Sequence, residues 1–240
     1  MNNDNTIPSQ LGPADTMPSQ LGPMAGSSRP RRATPASGGS SRIVWWILLL
    51  ALGLGAALLA RAQPAPFQLS SPDLAMGTFD QRFVLQGFGC TGANVSPALE
   101  WRNLPRGTRS LALMLHDPDA PTGSGFWHWA VYNIPASATG LPQGAGNAAA
   151  TLPAPAAGGM NDFHDTGVTR GNGNYGGPCP PVADRPHRYV FTLYALDVED
   201  LHQAAGIPRS ATAALHAFAL NKALGAHLLE KVSLTATYGR

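Results

Sequence analysis

Hydrophobic positions along this chain follow two different regimes. Residues 43–60, IVWWILLLALGLGAALLA, form a single uncharged run of 18 residues. At about 1.5 Å per residue in a helix it reaches about 27 Å, close to the hydrocarbon thickness of a bilayer. Beyond it the apolar residues come in short runs bounded by Gly, Pro, Asn and Asp, which is how strands are written.

Those runs predict strands over 67–70, 79–85, 99–101, 111–115, 126–134, 187–196 and 232–238. A short helix is expected over 198–205, and a second from an N-cap at Ser210 to Lys222, with Leu215, Phe218 and Ala219 on its inner face. Between Pro135 and Pro186 no regular periodicity survives. The first half of that connection, Ala138 to Ala157, reads as spacer. Its second half carries aromatic and polar groups on a proline-stiffened backbone, the character of a functional loop. Strands outnumber helices, the helices cluster late, and no βαβ alternation occurs. The predicted fold is mainly β, an antiparallel β-sandwich with a few peripheral helices.

Composition changes this picture mainly at the N-terminus. Residues 1–42 are rich in Pro, Gly and Ser and contain the near repeat TIPSQLGP and TMPSQLGP, a composition that predicts disorder. Arg29, Arg31, Arg32 and Arg42 precede the apolar run and only Arg61 closely follows it, so the N-terminus is expected in the cytoplasm and the rest exported. The run is a transmembrane anchor or the apolar region of a signal, since Ala60-Arg61-Ala62 also resembles a cleavage site. Residues 61–66 form a linker and 67–240 one domain, tethered in or released to the periplasm or extracytoplasmic space. The net charge is only +2, and the domain has no basic stripe, which argues against nucleic acid. Its two cysteines, Cys90 and Cys179, are expected to pair in an oxidising compartment.

Candidate chemistry gathers at strand ends. The segment LALMLHDPDAPTGSGFWHWAVYNIP, residues 111–135, places His116 and Asp117 at the close of one strand and His128 at the start of the next. If these strands pair, carboxylate and imidazole face one concave spot. His187 and Tyr189 open a third strand. Imidazole, phenol and loop N–H groups together suit an anion such as a phosphate ester. A protonated His128 or His187 would strengthen such binding as pH falls from about 8 to 6. His116 is read as structural, Asp119 as a turn former, Trp127 and Trp129 as packing residues sharing a face, and His202, His216 and His227 as surface residues. His164 is read equally as loop or site. The competing chemistry is a metal-dependent or acid–base hydrolase using Asp117, His128 and His187. There is no HExxH ligand pair and no GxSxG elbow, so no catalytic residue, cofactor or resident metal is expected.

Residues 117–121 (DPDAP), 127–129 (WHW), 175–181 (YGGPCPP) and 187–189 (HRY) together resemble the phosphatidylethanolamine-binding proteins, and within them the bacterial Raf-kinase-inhibitor-like branch of YbhB/YbcL type. The loop around Asn94 and Ser96, the Asn161-Asp162-Phe163 segment and the terminal LTATY fit the same branch, so the likeness runs from about Phe67 to Arg240. It implies an antiparallel β-sandwich with a small preformed anion pocket for phosphate-bearing head groups or phosphorylated ligands. Carried over by motif, that pocket is Asp117, His128, the Gly177 to Pro181 rim with Pro180, His187 and Tyr189. A regulatory or inhibitory protein partner is the further role the family suggests. An Ala/Pro-rich segment near Gly144 to Ala157 and the N-terminal anchor depart from the family pattern.

Overall fold

The computed structural model describes residues 64–148, 151–164, 166–171 and 173–240. The expectations for the N-terminal segment 1–42 and the apolar run 43–60 lie outside the described residues. Among those described, no helix is long and apolar enough to cross a membrane.

The strands, in chain order, are β1 (Gln68–Ser70), β2 (Gln86–Gly87), β3 (Cys90–Thr91), β4 (Leu99–Arg102), β5 (Ser110–Asp117), β6 (Phe126–Pro135), β7 (Gly140–Leu141), β8 (Ala157–Gly158), β9 (His187–Leu196) and β10 (Leu228–Tyr238). One sheet runs β1-β4-β7, a larger one β10-β9-β5-β6-β8, and β2 with β3 forms a small ribbon. Every pairing between these strands is antiparallel.

The unbroken apolar run of β5 follows from its central place in the larger sheet, which is covered on both faces. Leu111, Leu113 and Leu115 point into the core shared with Leu69, Leu99 and Trp101 of the smaller sheet. Ala112 and Met114 point the other way, against Leu201 and Leu220. The latter residues belong to a helical cap made of α1 (Leu201–Ala205), α2 (Ala213–Phe218) and a π-helical turn, Ala219–Ala223. Asp200 caps α1, its side chain accepting from the N–H groups of His202 and Gln203, and this satisfies donors that the first turn leaves unpaired.

Four expectations are corrected. Residues 79–85 are not a strand: Phe83 N–H donates to Asp80 O at 3.1 Å and Arg82 N–H to Asp80 Oδ1 at 2.8 Å, closing a turn. Phe79, Phe83, Val84 and Leu85 are all buried, so their apolar character reflects packing rather than a pleat. The second helix is capped by Thr212, not Ser210. Its inner face is Ala213, His216, Ala219 and Leu220, while Leu215 and Phe218 are exposed. The supposed spacer contributes β7 and buries Leu141, Ala145 and Gly146. The π turn, which adds a residue to the helical period, shifts Leu220 onto the face that Leu224 continues.

Candidate functional site

The site owes its shape to one extra residue. In the β5–β6 pair, Leu115 lies opposite Trp129 and His116 opposite Trp127, so His128 has no counterpart and forms a β-bulge. Strict alternation would put His128 beside Ala130 and Tyr132, toward the helical cap. The bulge turns it to the other side, where it lines a cavity with Asp117, His187 and Tyr189. It also separates the tryptophans: Trp129 enters the inter-sheet core and Trp127 packs on the cap side. The expectation that they share a face is therefore corrected.

The cavity measures about 150 Å³. Its remaining walls include Leu85, Phe88, Phe126, Phe163, Pro121, Cys179, Pro180 and Pro181. Gly177 stands behind this rim. Its N–H donates to Asn94 Oδ1 at 2.7 Å, and a Cβ there would lie 2.0 Å from the Phe83 carbonyl oxygen, so glycine is required for close approach. Asn94, at a left-handed φ of 54°, also donates from Nδ2 to Tyr175 O at 3.0 Å. Buried Asn161 donates to the carbonyls of His128 and Asn174 at 3.1 and 2.7 Å. These two amides fix the irregular loop against the strands.

Asp117 is spent on position. Its Oδ1 accepts from the N–H groups of Asp119 and Ala120 at 2.9 and 3.1 Å, and its Oδ2 from His187 Nδ1 at 2.8 Å. The turn former is thus Asp117. Asp119, expected in that role, instead accepts from Arg188 through Nε and the backbone N–H at 2.9 Å, from the Arg188 terminal nitrogen at 3.0 Å, and from Arg185 at 3.0 Å. The Arg188 bonds hold the Asp119 carboxyl well below the usual carboxylate range, which locks the DPDAP turn to the start of β9. His187 Nε2 lies 3.4 Å from Asp184.

His128 has a defined tautomer. Its Nδ1 lies 2.9 Å from the Gly176 carbonyl, an oxygen that only accepts, so Nδ1 carries the hydrogen. The rings of Phe126, Phe163 and Tyr189 meet it edge to face at 5.2, 5.3 and 5.1 Å. Burial pulls its pKa down to about 4, against the raising effects of the Gly176 carbonyl and the Asp117 charge. Burial thus disfavours the imidazolium at His128, one of the two histidines in which it was expected. Tyr189 is the reverse case. Its buried hydroxyl makes no hydrogen bond of good geometry; burial, then the Asp117 charge and a weak bond to that carboxylate, pushes its phenol well above the ordinary tyrosine value, against the Cys179 N–H. It therefore stays a donor.

The depressed His128 has a consequence for stability. Above the unfolded value of about 6.5 the ring is neutral in both states and costs nothing; as pH falls toward 4 the unfolded chain takes up a proton that the folded one refuses. Stability is expected to drop by roughly 2 kcal/mol by pH 5 from this group. Urea midpoints at pH 7 and 5 check this, because His128→Asn should lose that part of the difference.

Elsewhere, His116 stacks on Trp127 at 4.1 Å and is structural, as expected. His164 does not line the cavity. His227 is exposed beside Asp197, but His202 and His216 are buried, against expectation. Cys90 and Cys179 form a disulfide. Among the described residues no group of three His, Cys, Asp or Glu is placed to hold a metal ion. Phe88, Phe126 and Phe163 are wall residues that the sequence did not single out for the site; their signal is aromatic residues inside or beside the polar motifs.

The family model "Phosphatidylethanolamine-binding protein" matches residues 75–239. YbcL of Escherichia coli is 47% identical over 142 residues, spanning 58% of this chain and 74% of the relative. YbhB of the same organism is 38% identical over 172 residues, 71% of this chain and 99% of YbhB. The crystal structure of E. coli YbcL, titled a new member of the mammalian PEBP family, superposes with a TM-score of 0.63 at 40% identity, covering 73% of this chain and 99% of that one. The ordered motifs, the antiparallel sandwich and these matches agree: the chain belongs to the phosphatidylethanolamine-binding protein family, in its YbcL/YbhB branch.

Proposed function

We propose that this protein is a non-catalytic binding protein whose cavity captures a zwitterionic, phosphate-bearing head group, phosphoethanolamine being the simplest example. The observation that carries the reading is the buried Tyr189 hydroxyl on the wall of a small cavity, which makes no well-formed hydrogen bond and has only the Asp117 carboxylate and the Cys179 N–H near it. Such a group normally finds a partner, and leaving it without one costs about 1–3 kcal/mol. A phosphate oxygen is an acceptor that suits it.

Charge balance favours a zwitterion over a bare anion. His187 is bonded to Asp117, and burial disfavours a charged His128, so a ligand that carries its own positive charge suits the cavity better than a bare dianion. An ammonium group carried by the ligand itself supplies the balance, and the faces of Phe88, Phe126 and Phe163 give it a suitable wall. The hydrolase alternative gains nothing comparable, because both Asp117 oxygens are occupied in holding the turn and His187. The exported, membrane-tethered setting proposed from residues 43–60 would put this cavity within reach of lipid head groups.

Calorimetric titration tests the reading. Phosphoethanolamine is expected to bind at least about 10-fold more tightly than inorganic phosphate. Tyr189→Phe, which removes one oxygen from the cavity, is expected to lose about 10-fold, on the order of 1.4 kcal/mol. Equal affinity of wild type and Tyr189→Phe for phosphoethanolamine would contradict it.

A further inference from the structure

On the opposite face of the larger sheet two buried histidines meet. His202 of α1 and His216 of α2 face one another with Nε2 atoms 3.0 Å apart. His216 Nδ1 lies 3.0 Å from the Thr212 carbonyl oxygen, which only accepts, so that nitrogen carries its hydrogen and His216 Nε2 is a lone pair. The hydrogen between the rings therefore belongs to His202 Nε2. No other side-chain bond among the described residues joins the two helices directly.

We propose that this pair is an acid-sensitive latch: neutral, it holds α1 to α2 and closes the cap, and further protonation releases it. The groups facing the pair explain why. From β6, the Tyr132 ring stacks on His216 at 4.0 Å and 13°, with its own hydroxyl buried and unpartnered. Beside α1, the Asp200 carboxylate lies 3.5 Å from His202 Nδ1 and is itself paired with Arg209. Also from β6, buried Asn133 accepts from the Leu201 N–H at 3.0 Å, and the apolar neighbours include Leu201, Ala213 and Leu220.

A proton added at His202 Nδ1 faces Asp200, but Arg209 already engages that carboxylate. A proton added at His216 Nε2 sets two N–H groups against each other across 3.0 Å, and with His202 also protonated two cations, and the bond is lost. Burial pulls His216 down to about 4, and burial followed by the Arg209 charge lowers His202 as well. Both directions favour opening in acid, where a released ring takes up its proton. An open cap would bare Met114, Tyr132 and Tyr194, a contiguous apolar surface available only at low pH.

Amide hydrogen exchange of the full-length chain, corrected for intrinsic rates, tests the latch. Between pH 7 and 5, protection of residues 201–205 and 213–223 is expected to fall at least about 10-fold by local opening. In the His202→Gln/His216→Gln double variant that fall should shrink below about 3-fold, while the pH response of β5 and β9 stays as in wild type. His202→Gln alone, whose amide still donates to His216 Nε2, is the milder variant and is expected to weaken the response. Unchanged cap protection in the wild type, or an undiminished fall in the variants, would overturn the proposal.

Discussion

Replacing Asp117 with alanine should lower stability by about 3–5 kcal/mol and abolish phosphoethanolamine binding together. The carboxylate is 3% exposed at its side chain and receives three hydrogen bonds, two from the N–H groups of its own turn and one from His187. Removal leaves one buried donor, on His187, and two partly buried N–H groups unsatisfied, a buried donor costing about 1–3 kcal/mol before relaxation, and breaking one half of a buried pair costs about 3–5 kcal/mol. The cavity also loses its floor, since the DPDAP turn and the start of β9 are positioned through it. Asn is the informative control. Its Oδ1 still accepts both backbone N–H groups, while its Nδ2 confronts His187 Nδ1, so a loss of about 1–2 kcal/mol is expected. Urea unfolding at unchanged m-value measures both variants.

Breaking the Cys90–Cys179 bond is the second large effect. The cysteines are separated by 89 positions, and opening a loop of that size restores about 4–5 kcal/mol of chain entropy to the unfolded state in the loop-closure account. The bond ties the β2–β3 ribbon, whose turn carries Phe88, to the Cys179-Pro180-Pro181 rim. Arg240 reinforces the same junction by donating to the carbonyls of Pro180 and Gly89 at 2.6 and 2.9 Å. Reductant is thus expected to lower the denaturation midpoint and to weaken ligand binding through a loosened Phe88 wall. Identical midpoints with and without reductant, once alkylation has shown that the thiols are free, would contradict this.

Much of this architecture was legible in residue order. The β5, β6 and β9 runs carry their strand identity in alternation and β-branched content, and the motifs at 117–121, 127–129 and 187–189 converge because they lie at one end of paired strands, with the loop motif at 175–181 tied to them through the Gly176 N–H and the His128 carbonyl. What stayed hidden depended on a single register step. Period-two reasoning cannot see the bulge at His128, and so it placed Trp127 and Trp129 on one face and gave no reason for His128 to meet Tyr189. Likewise His202 and His216 look like surface residues on short polar-faced helices; only the docking of α1 beside α2 buries them. Nor could the protonation of His128 be read from its type, because Phe163 and Tyr189 come from separate segments to join Phe126 in desolvating it. Burial disfavours the imidazolium at His128 for that reason, which is why the proposed charge balance rests on the ligand.

The most direct test is a crystal structure of the protein grown with saturating phosphoethanolamine. The phosphorus is expected inside the cavity bounded by His128, Tyr189, Pro180 and Phe163, with a phosphate oxygen about 2.7 Å from the Tyr189 hydroxyl. Phosphorus density at any other place, with the Tyr189 hydroxyl bonded to nothing but solvent, would contradict the account.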